Sequence, residues 1–194
     1  MPENGHARES VRERLDHVCE RVANAVHRAG RLYQEIAIIG ISKTHPATLL
    51  RAALEAGMTD LGENRVQEAE PKIWELGRQA ARWHLVGHLQ PNKARKAIRL
   101  FDVIHSLDST PLAERLDRIC SEENRDELSV LIQVDLGGEA TKSGVTEKEL
   151  LGLATRVVDC RHLRLVGLMT LPPFFEDSEQ TRPTFVVFAN YAMT

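Results

Sequence analysis

The sequence predicts an α/β fold, a (β/α) TIM-type barrel that runs to about six strands, and three observations predict it. Short runs of branched apolar residues alternate with helix-patterned stretches from residue 36 to residue 168. Strand starts near 36, 58, 83, 102, 129 and 163 leave room for one helix between each pair, which forces parallel pairing through right-handed crossovers. No Gly-x-Gly-x-x-Gly follows the first strand, so the dinucleotide-binding form of the open doubly wound sheet loses its main support. A complete barrel has more strands than this pattern supplies.

From about residue 8, Val11, Leu15, Val18, Val22, Ala25 and Val26 form one apolar stripe at helical period, which predicts an amphipathic helix ending near Gly30. Ile36 to Ser42 reads as a strand buried on both faces because it is apolar and rich in branched side chains. Pro46 suits the first turn of the next helix and Gly57 its end. Met58 to Leu61 is the second strand. Asn64 and Gln67 then stand at capping-box spacing before a helix with Val66, Ala69, Ile73 and Trp74 on one side. Trp83 to Gly87 is the third strand, and Pro91 opens a helix rich in lysine and arginine. Val103 to Ser106 is the fourth, with Thr110-Pro111 starting its helix. Val130 to Val134 is the fifth, followed by a glycine-containing loop and the capping pair Thr146 and Glu149. A helix through Leu150, Leu153, Ala154 and Val157 leads to the sixth strand, Leu163 to Leu168.

A chain of 194 residues fits one domain spanning 1–194 with a sizeable core. The formal charge of −3, from 25 basic and 28 acidic residues, creates no field that favours nucleic acid or an anionic membrane. Nowhere do about 18 apolar residues run uninterrupted, and the amino terminus lacks the apolar centre of a signal peptide. Cys19, Cys120 and Cys160 are odd in number and widely spaced, which fits a reducing cytoplasm rather than a disulfide framework or a zinc ribbon.

Polar residues gather just after the strands, where barrel loops build a site. Lys43 follows the first strand; Glu63 and Asn64 follow the second; His84, Gly87 and His88 lie in or after the third. His105 and Ser106 end the fourth, Asp135 the fifth, Met169 and Thr170 the sixth. Lys43 stands out, because an ammonium at the end of an apolar strand needs a reason: burial there disfavours the charged form, and the plain alternative is a lysine reaching into solvent at a strand end. Asn64 is also placed to be a helix N-cap, His84 a hydrogen-bonded core histidine, and Met169 core filler. His84 and His88 lack a third ligand at metal-site spacing, so no metal is expected. Lys93, Arg95, Lys96 and Arg99 form a basic helix face without interleaved aromatics, read as solvated rather than as a nucleic-acid track.

The segments Gly40-Ile-Ser-Lys-Thr-His-Pro46, Gly62-Glu-Asn-Arg-Val-Gln-Glu68, Trp83-His-Leu-Val-Gly-His-Leu-Gln-Pro-Asn-Lys93, Ile104-His-Ser-Leu-Asp-Ser109 and Gly167-Leu-Met-Thr170 occur in this order. Over roughly residues 8–175 the chain resembles the pyridoxal phosphate homeostasis proteins, single-domain relatives of the amino-terminal barrel of alanine racemases. The resemblance implies a protein that binds pyridoxal 5′-phosphate as a Schiff base on Lys43, with Asn64, His84 and Met169 in the pocket wall. It also implies a role in intracellular supply of the cofactor to PLP-dependent apoenzymes, without turnover. The alternative is a racemase-like enzyme. That chemistry needs a second proton donor across the cofactor ring, which alanine racemases take from a further β domain, and Tyr33 and Tyr191 lie outside the matched motifs. Residues 176–194 diverge: Val186-Val187 stand where relatives show adjacent arginines, as a shifted reading frame or a premature stop would produce. The phosphate-gripping segments of the last family strands have no match here, so weaker cofactor retention is expected.

Overall fold

The computed structural model describes residues 3–136, 143–173 and 175–192. The glycine-containing loop expected after the fifth strand lies partly, at 137–142, outside the described residues. Seven helices and six strands alternate among the described residues: α1 (Glu3–Arg28), β1 (Ile39–Ile41), α2 (Ala47–Glu55), β2 (Asp60–Glu63), α3 (Val66–Leu76), β3 (Arg82–Leu85), α4 (Ala94–Leu100), β4 (Val103–Leu107), α5 (Thr110–Glu122), β5 (Leu128–Gln133), α6 (Glu147–Val158), β6 (Leu163–Met169) and α7 (Arg182–Ala192). The strands form one sheet in the order β1-β2-β3-β4-β5-β6. This sequential order is that of a β/α barrel sheet; a doubly wound sheet reverses its order at a switch point. Contacts gather the chain into two compact units, residues 1–63 with 67–84, and residues 64–66 with 85–194.

In the first unit, α1 packs on α2, and the inward stripe is Val11, Leu15, Cys19, Val22 and Val26. The structure corrects two members of the expected stripe, since Val18 and Ala25 are exposed and Cys19 faces inward instead. Spacings of four, four, three and four residues keep 11, 15, 19, 22 and 26 on one side of a helix, and 18 and 25 fall a step away. Helix α2 starts after Pro46 and ends where Gly57 takes φ +104, with the Met58 amide reaching back to Ala53 O at 3.0 Å. β1 pairs in parallel with β2 through Ile39↔Asp60, Gly40↔Leu61 and Ile41↔Gly62. It is shorter than the Ile36 to Ser42 run and is not buried on both faces: Ile41 is 45 % exposed. As the first strand of the order it has a partner on one side only, so the flanking apolar residues have no ladder to join. On α3, Ala69 and Ile73 are buried, as is Val66, which belongs to the second unit, but Trp74, expected beside them, is 76 % exposed because it lies about 100° further round the helix than Ile73.

In the second unit every residue of β4 is buried, and β5 follows closely. α5 buries Leu112, Ala113, Leu116, Ile119 and Cys120, one face at helical period. β5 and β6 pair in parallel from Leu128↔Leu163 to Gln133↔Met169. α6 opens with the expected pair: the Thr146 N–H and Oγ1–H both donate to the Glu149 carboxylate, at 2.9 and 2.8 Å, which holds that carboxyl below its usual range. The helix through Pro91 is split into a 3-10 turn, Pro91–Lys93, and α4. The basic face of α4 is engaged in part. Arg99 donates to both oxygens of Glu123 (2.7 and 2.9 Å) and Arg95 to Glu122 and Glu123, pulling the Glu123 carboxyl down to about 2. Two of the four cations read as a solvated face are thus committed to α5. The divergent stretch carries α7, whose Phe185, Val186 and Val187 are exposed.

Candidate functional site

Lys43 lies two residues past β1, in a turn closed by the His45 N–H donating to Ser42 O at 3.2 Å. It is exposed, and among the described residues its ammonium has no ion-pair or hydrogen-bond partner. Burial of this amine, which the apolar run suggested, is therefore not what the structure has: the residue follows a strand flanked on one side only.

The backbone on either side of Lys43 is fixed by a buried charge network. The Ser42 N–H continues the β1–β2 ladder to Gly62 O at 2.8 Å. Ser42 Oγ donates to Glu63 Oε1 at 2.6 Å, and Lys72 Nζ, from α3, donates to Ser42 O (2.7 Å), Glu63 Oε1 (2.7 Å) and Glu68 Oε1 (2.9 Å). The Lys72 ammonium thereby spends all three of its protons. Glu68 Oε1 also accepts the Thr44 N–H. Thr44 itself has φ +66, a left-handed backbone that a β-branched residue rarely adopts. Glu63 is fully buried and Lys72 is 9 % exposed. Glu63 Oε2 is buried and, among the described residues, has no hydrogen-bond partner.

His84 is the third residue of β3 and buried; its Nε2 lies 2.8 Å from Asp60 Oδ1. Burial pushes the Asp60 carboxyl up, but hydrogen bonds from Thr59 and His84 outweigh that and hold it below the usual carboxylate range. His84 thus has the hydrogen-bonded partner of a core histidine.

In the second unit, the chain passes from β2 to Asn64 and from β3 to Gly87, and the two segments touch. A Cβ on Gly87 would stand 2.2 Å from Asn64 O and 2.8 Å from its Cα. The Gly87 carbonyl accepts Ser106 Oγ–H, from β4, at 2.8 Å. His88 Nδ1 sits 3.2 Å from Asp108 Oδ2. Met169 is the last residue of β6; its carbonyl accepts the Val134 N–H at 2.8 Å, and Thr170 Oγ1 donates to Val134 O at 3.1 Å. Of the four residues assigned to cofactor binding, Lys43 and His84 belong to the first unit, Asn64 and Met169 to the second. Among the described residues no group of three or more His, Cys, Asp or Glu is placed to hold a metal ion.

The close approach makes position 87 intolerant. Gly87→Ala is expected to destabilise the fold by about 1–3 kcal/mol, because the obstacle is backbone rather than a side chain that can turn away. Denaturant unfolding checks it, and an unchanged midpoint would contradict the contact.

The residues that sequence reasoning missed are Ser42, Glu68 and Lys72, and the pairing of Glu63. One signal was present: Glu68 and Lys72 stand at i,i+4 on α3, in the favourable order.

Comparison with known proteins gives a consistent picture. The sequence pattern of the alanine racemase N-terminal domain matches residues 15–192. The pyridoxal phosphate homeostasis protein of Aquifex aeolicus is 38 % identical over 173 residues, 89 % of this chain and 75 % of that protein. That of Escherichia coli is 37 % identical over 186 residues, 92 % and 79 % of the two chains. The solved structure of PipY from Synechococcus elongatus with PLP bound superposes with a TM-score of 0.77 at 37 % identity, covering 91 % of this chain and 80 % of PipY. An alanine racemase of Clostridium difficile shares the fold, with a TM-score of 0.68 at 12 % identity.

Proposed function

The chain belongs to the pyridoxal phosphate homeostasis proteins, within the family of the alanine racemase N-terminal domain, and from that premise we propose that it binds pyridoxal 5′-phosphate on Lys43 and serves the supply of this cofactor without turning over a substrate. The observation that carries the reading is an exposed, unengaged amine on a backbone clamped at both neighbours. Such an amine fits an aldehyde ligand. Lys43 would hold the cofactor, which would supply there an aldehyde able to condense with a neutral primary amine with loss of one water.

The chain's own part is to present Lys43 Nζ and keep its α-carbon still. Ser42 and Thr44 are held by Glu63, Glu68 and Lys72, so the side chain moves from a fixed root. Exposure keeps the amine reachable both for loading and for handing the cofactor to an acceptor. Asn64, His84 and Met169 are assigned to the wall around the ring through their match to the family motifs. His84 would contribute a ring whose orientation Asp60 fixes.

The reading without turnover is supported by the two tyrosines. Tyr33 is hydrogen-bonded to Cys19 and Tyr191 to Glu147, interactions that push both phenols above their usual range. Neither lies within the motifs matched to the family, so neither is assigned as the second proton donor a racemase requires. The setting proposed is the cytoplasm, where the three free cysteines would stay reduced, and the partners are PLP-dependent apoenzymes. Protein loaded with PLP and freed of excess cofactor is expected to reactivate an apoenzyme such as a transaminase, while leaving the chirality of L-amino acids unchanged over hours. Racemisation at enzymatic rates would overturn the carrier reading.

A further inference from the structure

Two costs are concentrated beside Lys43 without a visible return in stability. A buried ion pair is seldom worth more than apolar residues of the same volume. This one, Glu63 with Lys72, even leaves Glu63 Oε2 buried and, among the described residues, unpartnered, where buried acceptors are almost always satisfied. Next to it, Thr44 is kept in a left-handed backbone by the Glu68 carboxylate, which Lys72 in turn anchors. Strain of this kind persists only where the surroundings enforce it, and it clusters at functional sites.

Both costs converge on one segment. Lys72 reaches Ser42 O directly, Glu63 holds Ser42 Oγ, and Glu68 holds the Thr44 amide. The only residue between those two anchors is Lys43. We propose that Glu63 and Lys72 are positioning residues for Lys43: the buried pair sets the Ser42–His45 turn so that the amine is held ready for its aldehyde. The inference rests on Lys43 being the attachment point.

The decisive comparison is between charge-breaking and charge-replacing variants. Lys72→Met strands the Glu63 carboxylate, whereas Lys72→Met/Glu63→Leu removes both charges. If the pair were only structural, the double variant would recover attachment along with its melting temperature. A positioning pair predicts that it recovers melting temperature but still captures PLP roughly tenfold or more slowly than the parent, since displacements near 1 Å are known to cost such factors. Capture is read by borohydride quenching at timed intervals and mapping of the Lys43 peptide. In cofactor-free protein, amide hydrogen exchange at Thr44 and His45 should quicken by a similar factor, with the exchange of β4 unchanged.

Capture at the parental rate, or unchanged Thr44 and His45 exchange, in a folded double variant overturns the proposal. If the pair variants do not fold, Glu68→Ala replaces them, because Glu68 is partly exposed and reaches the turn at the Thr44 amide. Slower capture at an unchanged melting temperature supports the proposal, and an unchanged rate overturns it. Parent protein that traps no adduct at Lys43 instead sinks the attachment site itself, so the two failures are distinguishable.

Discussion

Lys43→Ala is expected to emerge from gel filtration with no covalently held pyridoxal 5′-phosphate, while its folding free energy stays within about 0.5 kcal/mol of the parent. The first half follows from chemistry, because alanine offers no nucleophile. The second follows from structure: Lys43 is exposed, and among the described residues its ammonium holds nothing in place. The clamp works through the backbones and side chains of its neighbours, which the substitution leaves intact. The combination matters, since loss of cofactor together with loss of fold would say nothing about Lys43. The absorbance of the lysine-bound cofactor and a denaturant melt on the same sample separate the two. A variant that keeps the parent's colour would remove Lys43 from the site.

Lys72→Met should be the most destabilising of these substitutions, at about 3–5 kcal/mol. The Glu63 carboxylate would remain fully buried with only the Ser42 hydroxyl as donor, and an uncompensated buried charge is costly. Ser42 O and Glu68 would lose their common donor as well. Against a typical domain stability of about 5–15 kcal/mol, a loss of this size brings the chain close to unfolding at room temperature. Adding Glu63→Leu should restore most of it, because replacing a buried pair by apolar residues is often neutral. Urea midpoints at constant slope measure both steps. A single variant as stable as the parent would mean that water or a rearranged side chain satisfies Glu63.

The sheet was legible because its core strands carry their own evidence. In Val103–Leu107 and Leu128–Gln133 branched apolar residues predominate between turn residues, and both strands are buried throughout or nearly so. Proline and glycine signals at Pro46, Gly57 and Pro111 marked helix ends correctly, because those residues act through their own backbone. Where the reading failed, the deciding contact was long-range. Ile36 to Ile38 are as apolar as β1, yet no partner strand lies opposite them. Trp74 is expected on the side of Val66, Ala69 and Ile73, but the helix turns it about 100° beyond Ile73 and into solvent.

At the candidate site the sequence offered a proposed attachment residue but not the network that supports it. A lysine ending an apolar strand inside a matched motif is what makes Lys43 the proposed attachment residue. Nothing in the composition of α3 says that Lys72 is buried, because lysine on an amphipathic helix ordinarily faces water. Its burial depends on Ser42 and Glu63 arriving from other parts of the chain. The need for glycine at 87 likewise depends on Asn64, 23 positions earlier.

The central claim is that the amine after β1 is where the cofactor attaches. Incubation of the purified protein with pyridoxal 5′-phosphate, reduction with borohydride and peptide mapping test it in one step. The account predicts a single stoichiometric pyridoxyl adduct on the peptide containing Lys43. An adduct spread over surface lysines, or cofactor retained with Lys43 unmodified, would contradict it.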